Sequence, residues 1–392
     1  MSDDLTQSQT WTHVLFAAAF GALISLPLLL MPFGEDREIS AREQRKLAPI
    51  PAFPINAGEL EKFPDYFTAY YDDHFGQRNR IIAWANRLKH RLFGKYTTTK
   101  VFPGRDGWLF YNIDGSILDR VGYFSPTEDT MSGWRNALDE KARWMKDLGV
   151  EYLFVIPPNK ASVYTDKLPD SISSVLGQTR LQTFTEFLQR SDYPSENLLD
   201  LGPLLVDSKS EEPVFFKTDT HWNDYGAFLA YQATMEKIKR WFPDSPVLRI
   251  EDMKSARFDK IGDIARFTMA HEEFSEVAKS IQPARPCEKV PPRVVSEFAD
   301  TDAYKKSPKR LPTLTGCRNA RIKAIVMHDS FGRFIQPFFN ESFAEVIYMP
   351  SYNVFDMESF IQQIKPDLFI DLRVERNFHL LLNPIPDTEA QG

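Results

Sequence analysis

The most pronounced feature of the hydrophobic pattern is an apolar run near the N-terminus. Residues 14–33, VLFAAAFGALISLPLLLMPF, carry no charge and a single polar side chain, Ser25. A helix of this length rises ~1.5 Å per residue and reaches ~30 Å, the thickness of a bilayer's hydrocarbon core. The residues that follow offer no small-residue cleavage site. The pattern predicts an uncleaved membrane anchor over residues 1–34, rather than a cleaved signal peptide or a buried core helix.

Residues 35–95 are predicted to form a linker and a helical preamble. Pro49, Pro51 and Pro54 lie in a polar stretch that is typical of a linker. Apolar residues at helical spacing then predict two helices, over residues 59–73 and 78–93.

From residue 96 onward the pattern alternates between short apolar runs and longer amphipathic stretches. The runs predict buried strands at residues 152–156, 197–201, 322–327, 345–349 and 367–371. The amphipathic stretches predict helices at about residues 132–148, 179–189, 224–241, 333–339 and 357–364. Strands that alternate with helices indicate one doubly wound, mainly parallel α/β domain over residues 96–392.

One segment, at about residues 246–314, breaks this alternation. It is charged and rich in proline, and we interpret it as an insertion or lid over the strand ends. Cys287 lies within it and Cys317 just after it, 30 residues apart. The two are compatible either with one disulfide in an oxidising compartment or with two ordinary thiols.

Composition narrows the functional class. The chain has 392 residues, 47 Lys and Arg against 54 Asp and Glu, a net charge of −7, and 43% hydrophobic residues. These values exclude a disordered, collagenous or disulfide-dense chain. They also argue against a nucleic-acid partner, because no basic run dominates any part of the sequence.

The charges that flank the apolar run favour a cytoplasmic domain when they are counted alone. The first 13 residues contain no Lys or Arg, whereas Arg37, Arg42, Arg45 and Lys46 follow the run. The positive-inside rule places the more basic flank in the cytoplasm.

The first candidate for chemistry is Ser330, in the sequence HDSFG directly after the predicted strand at residues 322–327. Active sites of open α/β sheets lie at the carboxyl ends of the strands. A serine between a strand and a helix is exposed at that edge, near helix N–H groups that can hold an oxyanion. This is the logic of a nucleophile elbow, although the sequence G-x-S-x-G is absent. The alternative is a serine that only caps the helix.

The second candidate is the sequence KTDTHWN at residues 217–223. A serine hydroxyl needs a base to remove its proton, and the base works best when a carboxylate fixes its orientation. Asp219 and His221 are two residues apart, so in an extended segment their side chains project to the same side. Asp219 would then accept the Nδ1 proton of His221 while Nε2 faces Ser330. The alternative is a surface loop with an incidental histidine.

Other histidines are weaker candidates. His328 is two residues before Ser330 but has only Asp329 as an orienting carboxylate. A metal site would combine Asp219 and His221 with Asp72, Asp73 and His74, a set poor in nitrogen ligands, so no metal is expected. The sequence contains no phosphate-binding glycine motif, and no cofactor is expected.

Taken together, five ordered motifs resemble the alginate O-acetyltransferases of the J/X type, which are SGNH-hydrolase-like proteins of the bacterial periplasm. The motifs are GRDGWLF at 104–110, VIPPNK at 155–160 with Tyr164, KTDTHWN at 217–223, DSF at 329–331, and KPD at 365–367 with Glu375 and Arg376. The resemblance extends from about residue 74 to residue 378, in the family's order of Asp, His and Ser.

The resemblance implies roles for individual residues. Ser330 corresponds to the nucleophile, His221 to the general base and Asp219 to the residue that orients the base. Four more residues are candidates for lining the site or holding the oxyanion: Asn159, Lys160, Tyr164 and Arg376. The chain ends about 20 residues after the last predicted strand, so the carbohydrate-binding domain of the X-type is not expected and the membrane-anchored J-type is the closer match.

The function that this resemblance implies is transfer of an acetyl group through Ser330 to hydroxyls of an exopolysaccharide, with alginate as the expected polymer. It implies a periplasmic domain anchored in the inner membrane, a membrane-bound O-acyltransferase as acetyl donor, and other exopolysaccharide acetylation proteins as partners. On charge grounds a neutral polymer such as cellulose fits equally well. The alternatives are a polysaccharide acetyl-esterase with the same three residues and a non-catalytic scaffold that binds polysaccharide.

Overall fold

A computed structural model of the chain describes residues 11, 13–22, 25, 29, 38–40, 45–75, 78–94, 96, 98–191, 195–268 and 274–382. The chain divides into two compact units. The N-terminal unit comprises Met1–Thr98 with Ala265–Glu273, and the main unit comprises Thr99–Ile264 with Phe274–Gly392.

The N-terminal unit contains a short antiparallel strand pair and the two predicted helices. The strands are β1 (Ile39–Ser40) and β2 (Arg45–Lys46), and the helices are α1 (Ala57–His74) and α2 (Arg78–Phe93). The predicted anchor at residues 14–33 lies only partly within the described residues. No helix among the residues described combines the length and the apolar character needed to span a bilayer.

The strands of the main unit include all five predicted ones. They are β3 (Val101–Pro103), β4 (Leu109–Tyr111), β5 (Glu151–Ile156), β6 (Leu198–Asp200), β7 (Met253–Ile261), β8 (Ser275–Pro283), β9 (Lys289–Val294), β10 (Thr313–Cys317), β11 (Lys323–His328), β12 (Glu345–Met349) and β13 (Leu368–Leu372).

The helices of the main unit connect these strands. They are α3 (Ser116–Arg120), α4 (Glu128–Asp147), α5 (Lys160–Val163), α6 (Asp170–Ser173), α7 (Arg180–Arg190), α8 (Gly202–Ser208), α9 (Asp224–Ile238), α10 (Asp263–Phe267), α11 (Asp302–Lys306), α12 (Gly332–Ser342), α13 (Glu358–Ile364) and α14 (Phe378–Leu382). Of α10, only Asp263 and Ile264 belong to the main unit.

In the described part of the main unit, seven strands form one sheet in the order β6-β5-β13-β11-β12-β10-β9. The first five are parallel to one another, β10 is antiparallel to β12, and β9 is antiparallel to β10. The prediction of a mainly parallel α/β sheet is therefore confirmed, with an antiparallel edge added.

Both faces of the sheet are covered by helices, and the alternation of side chains explains how. Val326 in β11 contributes to the apolar cluster that includes residues of α9 and α12, whereas its neighbours Ile325 and Met327 belong to the cluster on the opposite face, with residues of α4, α7 and α13. Successive strand residues point to opposite faces, so a central strand must be apolar at nearly every position.

The segment at residues 246–314 differs from the predicted insertion. Its first part forms the antiparallel hairpin β7–β8, but its second part contributes β9 and the start of β10 to the main sheet. Its interpretation as a lid therefore needs correction for these residues. Pro291 and Pro292 lie within β9, where an edge strand tolerates missing N–H donors. Cys287 and Cys317 form a disulfide, which links the chain just before β9 to the end of β10.

Candidate active site

Ser330 occupies the tight turn between β11 and α12, at the carboxyl edge of the sheet. The Asp329 carboxylate accepts hydrogen bonds from the N–H groups of Phe331, at 2.9 Å, and Val374, at 2.8 Å. These bonds fix the turn against the chain that leaves β13. The Ser330 residue is exposed, as expected for the strand-to-helix elbow predicted from the sequence.

His221 and Asp219 lie on the segment that precedes α9, and they reach Ser330. His221 Nε2 is 2.7 Å from Ser330 Oγ, and His221 Nδ1 is 2.7 Å from Asp219 Oδ1. An ionised carboxylate can only accept, so Nδ1 carries the proton and Nε2 is left to accept the Ser330 hydroxyl proton. The structure thus brings together three side chains that are up to 111 positions apart in the sequence.

The surroundings of Asp219 keep its carboxylate ionised. Burial opposes ionisation, but the hydrogen bond from His221 and the ammonium group of Lys260, 3.1 Å from Oδ2, outweigh it. The pKa of the Asp219 carboxyl is therefore well below its ordinary value. The N–H of Asp263 also donates to Oδ2, at 3.3 Å.

Two more carboxylates hold the backbone of this segment, which we call the base loop (residues 216–221). Glu276 in β8 accepts hydrogen bonds from the N–H groups of Lys217 and Thr218, at 2.8 and 2.9 Å, and from the Thr218 hydroxyl at 2.6 Å. Asp263 accepts from the N–H of Thr220 at 2.7 Å. The hairpin β7–β8 and the residues that follow β7 therefore fasten the base loop.

Lys160 also fastens the base loop. Its Nζ donates hydrogen bonds to the carbonyl oxygens of Asp219, Lys217 and Phe216, at 2.7, 3.1 and 3.3 Å. The ammonium group also lies 5.8 Å from the centroid of the Trp108 ring, within range of a cation–π interaction. Burial lowers the pKa of Lys160 to about 8. The side chain is thus a buried cation whose hydrogen bonds go to the loop that carries the base.

An oxyanion donor is available at the elbow. The N–H groups of Phe331 and Gly332 are engaged by Asp329, through its carboxylate and its carbonyl respectively. Within the described residues, the N–H of Ser330 has no hydrogen-bond partner. It lies at the start of α12, where the helix dipole favours negative charge.

Asn159 and Arg376 line a pocket together with Thr220, which is on the base loop. Asn159 is buried, and its Oδ1 accepts a hydrogen bond from Arg376 at 3.0 Å. Its Nδ2 has no partner among the described residues. Arg376 also pairs with Asp114 at 3.1 Å. The pocket is therefore polar, and one of its buried amide donors is left for a ligand or water.

Tyr164, in contrast, has a packing role. Its hydroxyl accepts a hydrogen bond from the N–H of Val214 at 2.9 Å, and its ring packs on Trp108 with 4.0 Å between centroids. These contacts hold the chain just before the base loop. Of the four further candidates, three line the pocket: Asn159, Lys160 and Arg376.

A family model described as "SGNH hydrolase-like domain, acetyltransferase AlgX" matches residues 101–307, more than half of the chain. The chain belongs to this AlgX family. The matched range contains Asp219 and His221, and Ser330 follows it.

Curated relatives in this family include the probable alginate O-acetylase AlgJ of Pseudomonas putida, 28% identical over 184 residues. The match covers 47% of this chain and 44% of that protein. The alginate biosynthesis protein AlgX of Pseudomonas aeruginosa is 25% identical over 191 residues, which cover 46% of this chain and 36% of AlgX. The chain thus spans less than half the length of the curated relatives it matches.

Among solved structures, Bacillus cereus PatB1 with a sulfonyl adduct is similar to this chain with a TM-score of 0.52 and 18% sequence identity. The similarity covers 71% of this chain and 97% of PatB1. At this identity the likeness shows the fold, which is SGNH-hydrolase-like as the AlgX family model describes it.

His328 is not placed to act as the base. Its Nδ1 is 2.6 Å from the carbonyl oxygen of Asp329, and its Nε2 is 3.1 Å from Gln336 Nε2. Burial lowers the pKa of His328. Both ring nitrogens are thus engaged away from Ser330.

Asp219, His221 and Asp263 also form a cluster that resembles a metal site, with ligand atoms within 4.8 Å of one another. The donor set argues against a metal. Lys260 already neutralises Asp219, and His221 directs one nitrogen to Asp219 and the other to Ser330. A cation would have to displace both the ammonium group and the Nδ1 proton.

The roles of Lys260, Asp263 and Glu276 could not be predicted from the sequence. They lie 41 to 59 positions from the base-loop residues that they contact, in the segment that the sequence predicts to be an insertion or lid. No local pattern marks them, because their roles arise from the fold of the hairpin.

Proposed function

We propose that this protein is an O-acetyltransferase that carries an acetyl group on Ser330 and transfers it to hydroxyls of an exopolysaccharide, with alginate as the favoured polymer. The observation that supports the proposal most strongly is the chain of two 2.7 Å contacts, from Ser330 to His221 and from His221 to Asp219, in a member of the AlgX acetyltransferase family. The names of the curated relatives, alginate O-acetylases among them, favour alginate.

In the first step Ser330 Oγ attacks the carbonyl carbon of the donor's acetyl group while His221 Nε2 takes the hydroxyl proton. Asp219 stabilises the imidazolium that forms. The N–H of Ser330 is placed to stabilise the oxyanion. When the tetrahedral intermediate collapses, the bond to the leaving group breaks and His221 returns the proton to that group, which leaves acetyl-Ser330.

In the second step a hydroxyl of the acceptor attacks the acetyl-Ser330 carbonyl. His221 removes the proton of this hydroxyl, a second tetrahedral intermediate forms, and its collapse releases Ser330 Oγ, which recovers the proton. The acetyl group is then an ester of the acceptor, and the enzyme has returned to its initial state.

The setting of this reaction is part of the proposal. We place the main unit in the bacterial periplasm, held by an inner-membrane anchor at residues 14–33. A membrane-bound O-acyltransferase would supply the acetyl group, and other exopolysaccharide acetylation proteins would be partners. The Cys287–Cys317 disulfide supports an oxidising compartment.

A polysaccharide acetyl-esterase is the second candidate function. It would use the same three side chains with water as the acceptor. The exposure of Ser330 favours it, because hydrolysis needs water at the acyl-enzyme whereas transfer benefits from its exclusion. The scaffold alternative requires Ser330 and His221 to be too far apart for a hydrogen bond, and their 2.7 Å separation argues against it.

The test measures how the acyl-enzyme partitions between acceptors. The full chain in detergent is acetylated with an activated acetyl ester, and the acetyl group is followed by mass spectrometry during incubation with oligomannuronate, with cello-oligosaccharide or with buffer alone. We expect oligomannuronate to discharge the enzyme several-fold faster than buffer and to become acetylated. Equal discharge in all three solutions would favour the esterase, and Ser330→Ala serves as the blank.

A further inference from the structure

Helix α2 carries an apolar stripe on its exposed face. The four large apolar side chains of this stripe are Ile81, Trp84, Leu88 and Leu92, and they are 43%, 63%, 41% and 63% exposed. Their spacing of three and four residues aligns them along one side of the helix. The same spacing led the sequence analysis to predict the helix correctly, but in a soluble protein such a stripe normally faces the core.

The opposite side of α2 is the one that packs in the N-terminal unit. Ala83 and Asn86 are buried, and the Asn86 side-chain amide donates a hydrogen bond to the carbonyl oxygen of Thr268 at 2.8 Å. His90 stacks on Tyr96 with 4.6 Å between ring centroids. At about 100° per residue these positions lie about 180° from the centre of the apolar stripe. The helix is therefore held by one face while its apolar face points outward.

Basic side chains border the stripe on both sides. The helix sequence, RNRIIAWANRLKHRLF, contains five Lys and Arg residues and no Asp or Glu. At about 100° per residue, Arg78 and Lys89 lie along one border of the stripe. The other border carries Arg80, Arg87 and Arg91. Long basic side chains beside an apolar stripe suit a surface of apolar chains below anionic headgroups.

Helices α1 and α2 both expose apolar side chains, but they differ in the sign of their charge. Helix α1 exposes large apolar side chains such as Leu60 and Phe67. Its sequence, AGELEKFPDYFTAYYDDH, carries five acidic residues and one lysine. An anionic surface would repel α1 and attract α2.

We propose that α2 is an interfacial membrane helix that lies in an anionic lipid leaflet, with Trp84, Leu88 and Leu92 among the upper acyl chains and the exposed basic residues Arg80 and Arg91 at the headgroups. This contact is separate from the predicted anchor at residues 14–33 and does not depend on the proposed acetyl transfer. A helix of this kind is buried ~5–10 Å into the headgroup boundary. It would keep the N-terminal unit on the membrane surface.

The test places a spin label on the stripe of the full chain in nanodiscs. Leu88→Cys is labelled and compared with Val175→Cys, an exposed apolar position in the main unit. The disulfide leaves Cys287 and Cys317 without free thiols. Collision with oxygen, which concentrates in lipid, and with a water-soluble nickel complex reports the depth of each label.

In nanodiscs containing phosphatidylglycerol we expect the Leu88 label to be at least several-fold more accessible to oxygen than to nickel, and the Val175 label to show the reverse. Arg80→Gln combined with Arg91→Gln should reduce this protection and its dependence on anionic lipid. A Leu88 label that remains fully accessible to nickel would overturn the proposal. Protection that needs an added membrane protein would assign the stripe to a protein partner and would also overturn it.

Discussion

Replacing Lys160 with methionine should slow the reaction at the site while the free energy of unfolding falls by no more than about 3 kcal/mol. Methionine fills a similar volume without a charge. In the wild type the buried ammonium group of Lys160 donates to the carbonyl oxygens of Phe216, Lys217 and Asp219. The variant removes these three hydrogen bonds and, with them, one of the fastenings of the base loop.

The expected change in the free energy of unfolding is limited because two effects oppose each other. Burial lowers the pKa of Lys160 from 10.5 to about 8, so at 1.36 kcal/mol per pH unit the charged amine costs the folded state about 3 kcal/mol at neutral pH. Lys217 keeps the hydrogen bond from the N–H of Leu109. The other two carbonyls lose their donor at about 1–3 kcal/mol each. The net change then lies between a gain of about 1 and a loss of about 3 kcal/mol.

The pH dependence distinguishes this explanation from general damage. The folded pKa of Lys160 is lower than the unfolded one, so between pH 8 and 10.5 the unfolded state binds more protons and the contribution of this group to stability rises with pH. Activity should instead fall above about pH 8, because the neutral amine holds the base loop less firmly. Activity and stability should therefore diverge on the alkaline side.

The assay follows turnover of an activated acetyl ester from pH 6 to 10, with Ser330→Ala as the blank, and urea unfolding at each pH. Wild-type turnover should decline near pH 8 without a parallel loss of stability. Below pH 8 Lys160→Met should turn over more slowly by about 10-fold or more, as expected for a misplaced catalytic group. The variant should lack the alkaline decline, so the difference should narrow above pH 8. Unchanged turnover in Lys160→Met, or the same alkaline decline in both proteins, would refute the reasoning.

Three further predictions concern the base loop. Asp219→Asn should lower the rate of Ser330 acetylation by about 10⁴-fold, because His221 is no longer held in the productive tautomer. Burst kinetics measure the acetylation rate, and a loss below tenfold would count against Asp219 as the residue that orients His221. Gly262→Ala places a Cβ 2.1 Å from a base-loop carbonyl oxygen and should lower the free energy of unfolding by about 1–3 kcal/mol. Its control is Gly133→Ala, at an open helical position, which should raise the free energy of unfolding by about 0.5–1 kcal/mol. Urea unfolding measures both variants, and changes of the same sign would contradict the packing argument. Glu276→Gln replaces one carboxylate oxygen with an amide NH₂ group, which cannot accept a hydrogen bond from the base loop, and should lower the free energy of unfolding by about 1–3 kcal/mol. Unchanged turnover in this variant would show that Glu276 does not position the base loop.

The central strands could be predicted from the sequence because burial on both faces leaves a simple pattern. The inner residues of strands β11, β12 and β13 are apolar except for Asp371 in β13, and the predicted bounds differ from the observed ones by no more than one residue at either end. Strand β9 could not be predicted in this way, because an edge strand can contain two prolines and exposed side chains. Strand β7 is largely exposed, and neither strand of the hairpin β7–β8 has a continuous apolar run.

The residues of the candidate site also differ in whether the local sequence indicates them. Ser330 was predictable because its place after a buried strand is local information, and the D-x-H spacing of Asp219 and His221 is local as well. Lys260 and Glu276 were not, since only the folded hairpin brings them to the base loop. For α2 the periodicity predicts a helix, but it does not show which face packs.

The most direct test of the account is to locate the acetyl group on the protein. The full chain is incubated briefly with an activated acetyl ester, quenched in acid and digested, and the peptides are mapped by mass spectrometry. The account predicts an ester on Ser330 in the wild type, much less of it in His221→Ala, and none in Ser330→Ala. A wild-type Ser330 that stays unmodified, or an adduct that forms equally well without His221, would contradict it.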